Sequence, residues 1–466
     1  MPAPAGGQLD RTARARPGFG RRGQEGRLTR AAPDSPASAA IDRLARDAGS
    51  RLVAALARRL GAGRLDVAED AVQHALMRAL DLWPWRGVPP EPEAWLAVVA
   101  RNRALDLLRG AARAARLAGT LEVPPAAAPT EGRFERELNE DELALLFAVC
   151  HPVLSPEMRV TVALKTVAGL TVPQIAAGLL AEPTAIAQRL VRARRALEDA
   201  DIPIETPPPD ALPARAESVR TALWLMFNEG YSASSGESLV QPELCVEAIR
   251  LARALARHKT TRAPASDALA ALLLLTAARL ATRVGPDGVA QLLDDQPRAA
   301  WDASAIALGL AHLERSARGG ALTVWHARAE IAALHATAPS GAATDWSRIL
   351  EIYDGLLEID ASPTLALARA VAVGRARGSA TGIEAVESVL PTLGASPYGH
   401  AAMATFLAEL GRLDEARQHF ALAEARSRTQ PEQRLMARRR LALAAAPPSA
   451  TAPPRGSLRP RATPQD

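Results

Sequence analysis

Two short helical patterns separated by a tight joint occupy the stretch from Leu170 to Leu197. Apolar residues recur every three or four positions on each side of the joint at Ala181–Thr184, which is the spacing of one buried helix face. The second pattern carries four arginines and one glutamate, and most of these arginines fall opposite its apolar face. These features predict a helix-turn-helix whose second helix enters the major groove of DNA. An ordinary helical hairpin with a solvated arginine face is the alternative interpretation.

Alanine and leucine dominate the chain, and this composition favours helices along almost its whole length. The 466 residues are 48% hydrophobic but only 3% aromatic, and β-branched residues rarely cluster. Alanine and leucine have the highest helix propensities, so the composition predicts an all-α fold. The length allows about two to four domains with ample core.

Positive charge is local in this sequence. The formal net charge is only +5, and the arginines concentrate in both tails, in the second helix of the helix-turn-helix and in residues 101–116. This distribution suits separate docking surfaces better than a general polyanion-binding surface.

Cysteine usage and apolar runs both indicate a cytoplasmic protein. Cys150 and Cys245 lie far apart and form no C-x-x-C motif, so no disulfide scaffold is implied and a reducing compartment fits. The apolar run from Ala268 to Ala278 is too short to span a bilayer. The N-terminus lacks the apolar segment of a secretory signal. We therefore expect no membrane partner.

Changes in composition divide the chain into seven segments. Proline-rich stretches mark the linkers, and low-complexity tails mark the two ends. A proline-rich loop is also expected from Pro84 to Pro92, inside the first helical block. The basic N-terminal tail is either a weak nucleic-acid tether or the product of an upstream start codon. The predicted segments are a disordered basic tail (1–40), a first helical block (41–117), a linker (118–139), a second helical block ending in the helix-turn-helix (140–200), a proline-rich linker (201–213), a larger helical C-terminal part (214–446) and a disordered tail (447–466).

The end of the C-terminal part has a repeat-like pattern. In Leu410–Ala425 small and large residues alternate at intervals that let paired helices nest, as in tetratricopeptide units. Trp346–Val373 is a more degenerate candidate unit. An unrelated bundle with alanine-rich contacts explains the same pattern, and the sequence leaves both interpretations open.

The order of the blocks resembles an extracytoplasmic-function (ECF) sigma factor, the promoter-recognition subunit of bacterial RNA polymerase. The resemblance covers about residues 45–200 and is carried by DVAEDAVQHALMRAL, AWLAVVARNRALDLLR, LSPEMRVTVALKTVAGLTVPQIA and AQRLVRARRAL. Further segments are similar to the long tetratricopeptide-like C-terminal extension of one ECF subgroup. These are FNEGYSASSGE, ELCVEAIRLARAL, DDQPRAAWD and ATAPSGAATDW.

The resemblance implies an all-α protein with two small sigma domains, region 2 and region 4, followed by the larger helical extension. It also implies three interfaces. The acidic face of the first block would dock on core RNA polymerase through Asp66, Glu69, Asp70 and Gln73. The residues implied for the −10 promoter element are Trp83, Trp85, Arg101, Asn102, Arg103 and Arg109. The residues implied for the −35 element are Thr184, Gln188, Arg189, Arg192 and Arg195.

The sequence leaves the roles of two features open between two interpretations each. Trp83 and Trp85 suit stacking on an extruded base, but they also suit the core of the first block. In the loop FNEGYSASSGE, Gly230 can end a helix in the left-handed conformation and Ser234 or Ser235 can start the next one. The functional alternative is an interdomain or ligand-binding loop, in which Asn228, Glu229 and Tyr231 contact the promoter-binding half or a ligand.

The sequence lacks the motifs of the common enzyme classes. No glycine precedes a lysine as in a Walker A loop, and no His-Glu pair opens a zinc-protease motif. Cys150 and His151 are adjacent, so on a helix they point apart, and we expect Cys150 to be a small core residue. We expect a protein that is not an enzyme and has no catalytic residue, metal or cofactor.

The function that these patterns favour is that of an ECF-type sigma factor. Its expected partners are core RNA polymerase, promoter DNA and a regulatory protein bound through the C-terminal part, which would regulate or complete activity. The main alternative is a stand-alone helix-turn-helix regulator with a helical sensor domain. A helical scaffold with incidental arginine-rich faces is a third interpretation.

Overall fold

The chain folds into helices that pack in sequence order around one principal core. No β-strand occurs in the parts of the chain that the structure covers, which confirms the all-α prediction. The predicted basic tail up to residue 35, the linker up to residue 134 and the tail from residue 446 lie outside the described residues. The computed structural model describes residues 36–117, 135–179, 181–208, 210–319 and 321–445.

The first block contains four helices, of which the last two pack closely against each other. The second of that pair of helices carries the basic residues, and the first carries the acidic face. The four helices are α1 (Pro36–Asp47), α2 (Gly49–Leu60), α3 (Leu65–Arg86) and α4 (Pro92–Leu117).

The end of α3 differs from the sequence-based expectation. A proline-rich loop from Pro84 was expected, but α3 continues through Pro84 to Arg86. Pro84 lies in the last turn, where the missing N–H group removes one hydrogen bond without breaking the helix. Gly87 then ends the helix with φ 80°, a conformation that favours glycine.

The second block contains four helices and begins earlier than expected. Its first helix starts at residue 135, within the predicted linker 118–139. All ten residues from Asp141 to Cys150 are buried, because neighbouring helices cover this helix on every side. The helices are α5 (Glu135–Val149), α6 (Pro156–Thr166), α7 (Val172–Gly178) and α8 (Pro183–Asp199).

The C-terminal part is a succession of helices in which neighbours along the chain pack together. From α14 onwards each helix contacts the next one along the chain, an arrangement that both the tetratricopeptide-like interpretation and the plain bundle interpretation allow. Gly411, with φ 75°, makes the turn between α17 and α18. The helices are α9 (Leu212–Tyr231), α10 (Pro242–Arg257), α11 (Pro264–Ala277), α12 (Ala303–Ser316), α13 (Val324–Thr337), α14 (Trp346–Ile359), α15 (Pro363–Arg377), α16 (Ser379–Val389), α17 (Tyr398–Glu409), α18 (Leu413–Arg426) and α19 (Gln430–Ala445).

One hydrophobic core joins the two blocks to the beginning of the C-terminal part. Buried residues of α2, of α5, of α9–α11 and of α13 belong to the same cluster, and partly buried residues of α12 pack against it. Each fully buried leucine, valine, isoleucine or phenylalanine contributes about 1.5–3 kcal/mol. Separating the three parts would therefore cost considerable free energy, because it would expose this buried apolar surface to water. The later helices have smaller clusters of their own.

One segment among the described residues is long and apolar enough to resemble a membrane span. It runs from Pro264 to Thr282, with 19 residues and a mean hydropathy of 1.4. Two-thirds of it (67%) is buried inside the protein. Its packing is that of a core helix, and α11 contacts α10, α12 and α13.

Candidate nucleic-acid interface

The start of α7 is fixed by a capping box. The Thr171 hydroxyl accepts a hydrogen bond from the Gln174 N–H, and the Gln174 side chain accepts one from the Thr171 N–H at 2.9 Å. Pro173 lies in the first turn, where proline is tolerated. These contacts give the short helix a defined start and support the tight joint before α8.

The two faces of α8 differ in burial as the spacing predicted. The apolar stripe packs against α6 and α7, and Pro183 opens the helix without the loss of an intrahelical hydrogen bond. The predicted core positions are confirmed as buried, and they are Ile186, Leu190, Ala193 and Leu197.

We call the opposite side of α8 the recognition face. It comprises the five residues implied for the −35 element. Among the described residues no carboxylate forms an ion pair with Arg189, Arg192 or Arg195, so their guanidinium groups are available for an external anion. Arg189 is half-buried, and the exposed members are Thr184, Gln188, Arg192 and Arg195.

The basic residues of α4 spread around that helix. Arg101 and Arg103 are half-buried, whereas Asn102 and Arg109 are exposed and lie about two turns apart on one side. Arg109 forms a weak contact of 3.7 Å with Asp106. The exposed side of α4 can therefore contact a DNA backbone. The half-buried Arg101 and Arg103 can reach that backbone only with the ends of their side chains.

The two tryptophans implied for the −10 element have different environments. Trp83 is 3% exposed, and its ring packs edge-to-face on Trp95 with 5.4 Å between the centroids. The assignment of Trp83 to base stacking is therefore corrected: in this structure it is a core residue of the first block. Trp85 is 67% exposed at the end of α3 and has a free ring face.

The acidic face of α3 is partly covered by the second block. Glu69 is half-buried, and it accepts hydrogen bonds from Arg194 at 2.5 Å and from Thr166 at 3.0 Å. The two blocks approach so closely that a Cβ atom on Gly63 would lie 2.7 Å from the Cα of Glu198. The members of the face that remain exposed are Asp66, Asp70 and Gln73.

The sequence reasoning missed Arg194, although its position carried a signal. It follows Leu190 by four residues, so it lies beside the buried stripe of α8 rather than on the recognition face. A long side chain at such a border position reaches a neighbouring element more readily than solvent.

A second missed contact lies at the junction of all three parts. Asp141 and Glu142 on α5 are both fully buried. Asp141 pairs with Arg58 of the first block, and Glu142 pairs with Arg250 of the C-terminal part. Ser50 also donates to Glu142, at 3.1 Å. Burial raises the pKa of Glu142 to about 7, against the opposing attraction of Arg250.

The segment FNEGYSASSGE differs from its expected helix boundary. Gly230 was expected to end a helix, but α9 continues to Tyr231 and Gly230 has no left-handed conformation. Glycine is required there because a Cβ atom would lie 2.8 Å from Leu244. The expected role of Ser234 or Ser235 as a helix start is also wrong, since α10 begins at Pro242.

Glu229 connects this segment to the helix-turn-helix. Its carboxylate is buried and accepts hydrogen bonds from the Gln174 side chain at 3.3 Å and from the Ser234 hydroxyl at 3.1 Å. Burial raises its pKa. A cavity of about 590 Å³ lies beside it, and its polar lining includes Gln174, Asn228, Glu229, Ser234, Tyr398 and Glu432.

Cys150 is confirmed as a core residue. It is fully buried, and burial raises the pKa of its thiol to about 12. His151 follows it outside the end of α5 and accepts a hydrogen bond from the Val153 N–H at 3.2 Å. The thiol is therefore protonated at neutral pH and inert as a nucleophile.

Comparison with known proteins assigns similarities to two of these parts. Residues 47–114, within the first block, match Sigma-70 region 2. Residues 215–317 match a family of unknown function (DUF6596). The chain is 37% identical over 361 residues to the uncharacterized protein R00370 of Rhizobium meliloti (strain 1021), which covers 76% of this chain and 85% of that relative. No solved structure matches the chain.

Proposed function

Because the chain belongs to the family of this Rhizobium meliloti protein and carries a sigma-70 region 2 domain, we propose that it is an ECF-type sigma factor. A sigma-70 region 2 domain implies a role in transcription initiation, through core RNA polymerase and promoter DNA. The finer proposal is that the first block holds the −10 element and the recognition face of α8 reads the −35 element. A cytoplasmic location and the absence of catalysis are parts of the same proposal.

The observation that carries the proposal is the combination of the two blocks in one chain. The match to Sigma-70 region 2 falls on the first block. The second block ends in a helix-turn-helix with Arg192 and Arg195 exposed and unpaired among the described residues. A stand-alone repressor needs only one DNA-reading helix. Two basic surfaces in tandem are what a subunit needs to contact two promoter elements.

Transcription with purified core polymerase tests this proposal. We expect the full chain to co-purify with core enzyme and to direct specific initiation. Sequence-specific binding to duplex DNA without polymerase, together with no co-purification, would favour the stand-alone regulator and contradict the sigma assignment.

A substitution on the recognition face tests the −35 role separately. Replacing Arg192 with alanine should reduce the magnitude of the slope of log binding constant against log salt by about 0.9 if Arg192 neutralises a phosphate. If Arg192 reads a base edge, the same substitution should weaken binding by about 1–3 kcal/mol. Promoter affinity is measured by titration of the polymerase complex at several salt concentrations. Arg318→Ala is the matched control, because Arg318 is exposed but lies just after the end of α12, outside both blocks. An equal effect of both substitutions would contradict the assignment.

We further propose that the C-terminal part regulates the sigma activity by holding the two blocks together. The support is the position of α5, which packs against α2 of the first block and against α9 and α10 of the C-terminal part. The paired acids of α5 reinforce both contacts. In this arrangement Glu69 of the acidic face bonds to Arg194, so full docking on polymerase requires that bond to open.

Point substitutions test the regulation better than a truncation near Ile202 does. Truncation would expose the buried faces of α5 and α6, and loss of activity would then report aggregation. Glu229→Ala removes the contact with Gln174 and leaves the Thr171–Gln174 capping box of α7 intact. If the C-terminal part regulates, this variant should change initiation from a given promoter without changing the thermal midpoint. Unchanged initiation in this variant and in Arg250→Ala would contradict the regulatory proposal.

A further inference from the structure

Three arginines meet in the segment that follows α11, and we call them the arginine cluster: Arg279, Arg283 and Arg298. Arg279 and Arg283 lie against the Tyr231 ring, at 5.3 and 4.5 Å from its centroid. Arg283 and Arg298 are close enough to Arg279 to lower its pKa, in addition to the larger effect of burial. All three side chains are half-buried.

No carboxylate neutralises this cluster within the part of the chain that the structure describes. Apart from burial, the side chains that shift the pKa of Arg279 are Tyr231 and the two other arginines, and none of these is a carboxylate. The four acids within four residues of the cluster are exposed or engaged elsewhere. Asp287 pairs with Arg438, Asp294 pairs with Arg375, Asp302 caps the start of α12, and Asp295 is exposed. The cluster therefore holds three cations in a partly dehydrated place without a counter-charge.

Hydrogen-bond donors around the cluster also lack acceptors. Twelve buried side-chain polar atoms in the described residues have no hydrogen-bond partner, and five of them belong to this neighbourhood. Trp301 is 93% buried (7% exposed), and the Arg298 guanidinium lies 4.5 Å from the centre of its ring. The five atoms are Tyr231 Oη, Arg283 Nε, Arg298 Nη2, Trp301 Nε1 and His335 Nδ1.

Other contacts fix the positions of these side chains but supply no hydrogen-bond partner to the five atoms. Arg298 donates through Nη1 to the carbonyls of His335 and Ala338, at 2.7 and 2.9 Å. The same contact brings α13 against the cluster, and burial together with Arg279 and Arg298 lowers the pKa of His335 to about 4. Aromatic rings stack on guanidinium groups but supply no negative charge. Buried polar groups are normally hydrogen-bonded, so this concentration of unpaired polar atoms beside three cations favours a binding site for an anion.

We propose that the arginine cluster binds the phosphoryl group of a small phosphorylated molecule. Arginine binds phosphate and carboxylate oxygens through parallel N–H donors. A phosphate monoester carries up to two charges and three terminal oxygens at neutral pH. It matches three cations and additional donors better than a carboxylate, which has one charge and two oxygens. The site is distinct from the DNA-binding and polymerase-binding surfaces and does not depend on the proposed function.

The position of the site joins two segments that the sequence analysis singled out. Tyr231 ends FNEGY, two residues after Glu229, and Arg298 and Trp301 belong to DDQPRAAWD. Glu229 of the first segment bonds to Gln174 of α7. Tyr231, Arg298 and Trp301 take no part in the contacts with α7 and α8 described above. An anion-binding role explains why these distant segments meet.

Thermal unfolding of the full chain with inorganic phosphate tests the proposal. We expect phosphate to raise the midpoint by several degrees in a saturable manner, beyond sodium chloride and sodium acetate at equal ionic strength. Arg279→Gln and Arg283→Gln should each weaken phosphate binding at least ten-fold, as measured by calorimetric titration. Arg318→Gln is the matched control and should bind phosphate like the unmodified protein, because Arg318 is exposed and pairs with Glu314.

A labelling experiment on the unmodified chain keeps the test valid if a variant fails to fold. Phenylglyoxal modifies accessible arginines, and we expect phosphate to protect Arg279 and Arg283 selectively, as mapped by mass spectrometry. Phosphate stabilisation no greater than that of chloride would overturn the proposal. Equal binding by the variants and the control, or equal stabilisation by acetate and phosphate, would also overturn it.

Discussion

Arg194 occupies the border between the buried and exposed faces of α8, and this position decides which partner it meets. Its guanidinium bonds to Glu69 while both side chains retain some exposure, 38% and 16%. Solvent screens such a pair, so the bond contributes about 0.5–1 kcal/mol. This free energy favours the observed arrangement of the two blocks but is too small to fix it.

Replacing Arg194 with alanine should therefore strengthen binding to core polymerase. Freeing Glu69 corresponds to a roughly two- to five-fold gain in affinity, measured by titration of labelled core enzyme. Arg195→Ala is the control on the same helix, since Arg195 is exposed and faces away from Glu69. If the affinity did not rise in the Arg194 variant, or rose equally in both variants, the proposal that Arg194 hinders docking by covering the acidic face would be contradicted.

Glu142 makes the stability of the protein depend on pH near neutrality. Its pKa is raised from an ordinary 4.5 to about 7 in the folded state, so the folded state disfavours the ionised carboxylate. The resulting destabilisation begins near pH 4.5, grows until about pH 7 and is constant above it. It amounts to about 3 kcal/mol at most.

Glu142→Gln removes this dependence because glutamine does not ionise. We expect the stability of the variant relative to the unmodified protein to be higher at pH 8 than at pH 5, measured by urea denaturation. Glu351→Gln, on the exposed surface of α14, should show no such trend. A relative stability that is equal at both pH values would show that Glu142 is ionised without penalty.

At the scale of elements, the close approach of α9 and α10 depends on a single glycine. A Cβ atom at Gly230 would lie 2.8 Å from the Cβ of Leu244 and 2.9 Å from the backbone nitrogen of Cys245. Gly230→Ala should destabilise the protein by about 1–3 kcal/mol, because the two helices must move apart. Gly355 is the matched control: it is also helical, but nothing lies within 4 Å of a Cβ there.

Chemical denaturation of both variants gives the comparison. Gly355→Ala should be neutral or stabilising by up to about 1 kcal/mol, since alanine has the higher helix propensity. If Gly230→Ala were as stable as Gly355→Ala, the helices would not be in contact at this position.

The sequence predicted elements well where the signal was periodic. The apolar stripe of α8, from Ile186 to Leu197, needed only helical spacing. Rules for single residues failed where a neighbour decided the outcome. Pro84 stays inside a helix because it falls in the last turn, and Gly230 serves a helix contact instead of a turn.

The candidate sites were predictable only in part for the same reason. Recognition-face residues share one helix, so their spacing placed them together. The ion pair of Arg194 with Glu69 and the arginine cluster bring together residues from distant parts of the chain. The spacing of residues within one helix carries no information on contacts between distant parts of the chain. In the sequence, an arginine that forms such a contact cannot be distinguished from an arginine that is exposed on the surface.

At the scale of the whole molecule, the two blocks and the C-terminal part share one core, and the proposed regulation predicts that the two blocks separate when both bind a promoter. Gly63 allows a direct test, because a Cβ there would lie 2.7 Å from the Cα of Glu198, too close for the two blocks to keep their present spacing.

Gly63→Ala should therefore loosen the contact between the two blocks and raise initiation, measured by run-off transcription with core polymerase. Gly49→Ala is the matched control, because nothing lies within 4 Å of a Cβ at that position. Equal initiation by the two variants would show that the two blocks act without separating.

Promoter opening tests the central claim most directly. Permanganate oxidises unpaired thymines, so it reports the melted −10 region when the full chain, core polymerase and promoter DNA are combined. We predict reactive thymines only when both the chain and core polymerase are present, with weaker reactivity for Arg192→Ala. Unchanged thymines in the complete mixture, alongside binding of the chain to the same duplex without polymerase, would contradict the assignment as a sigma factor.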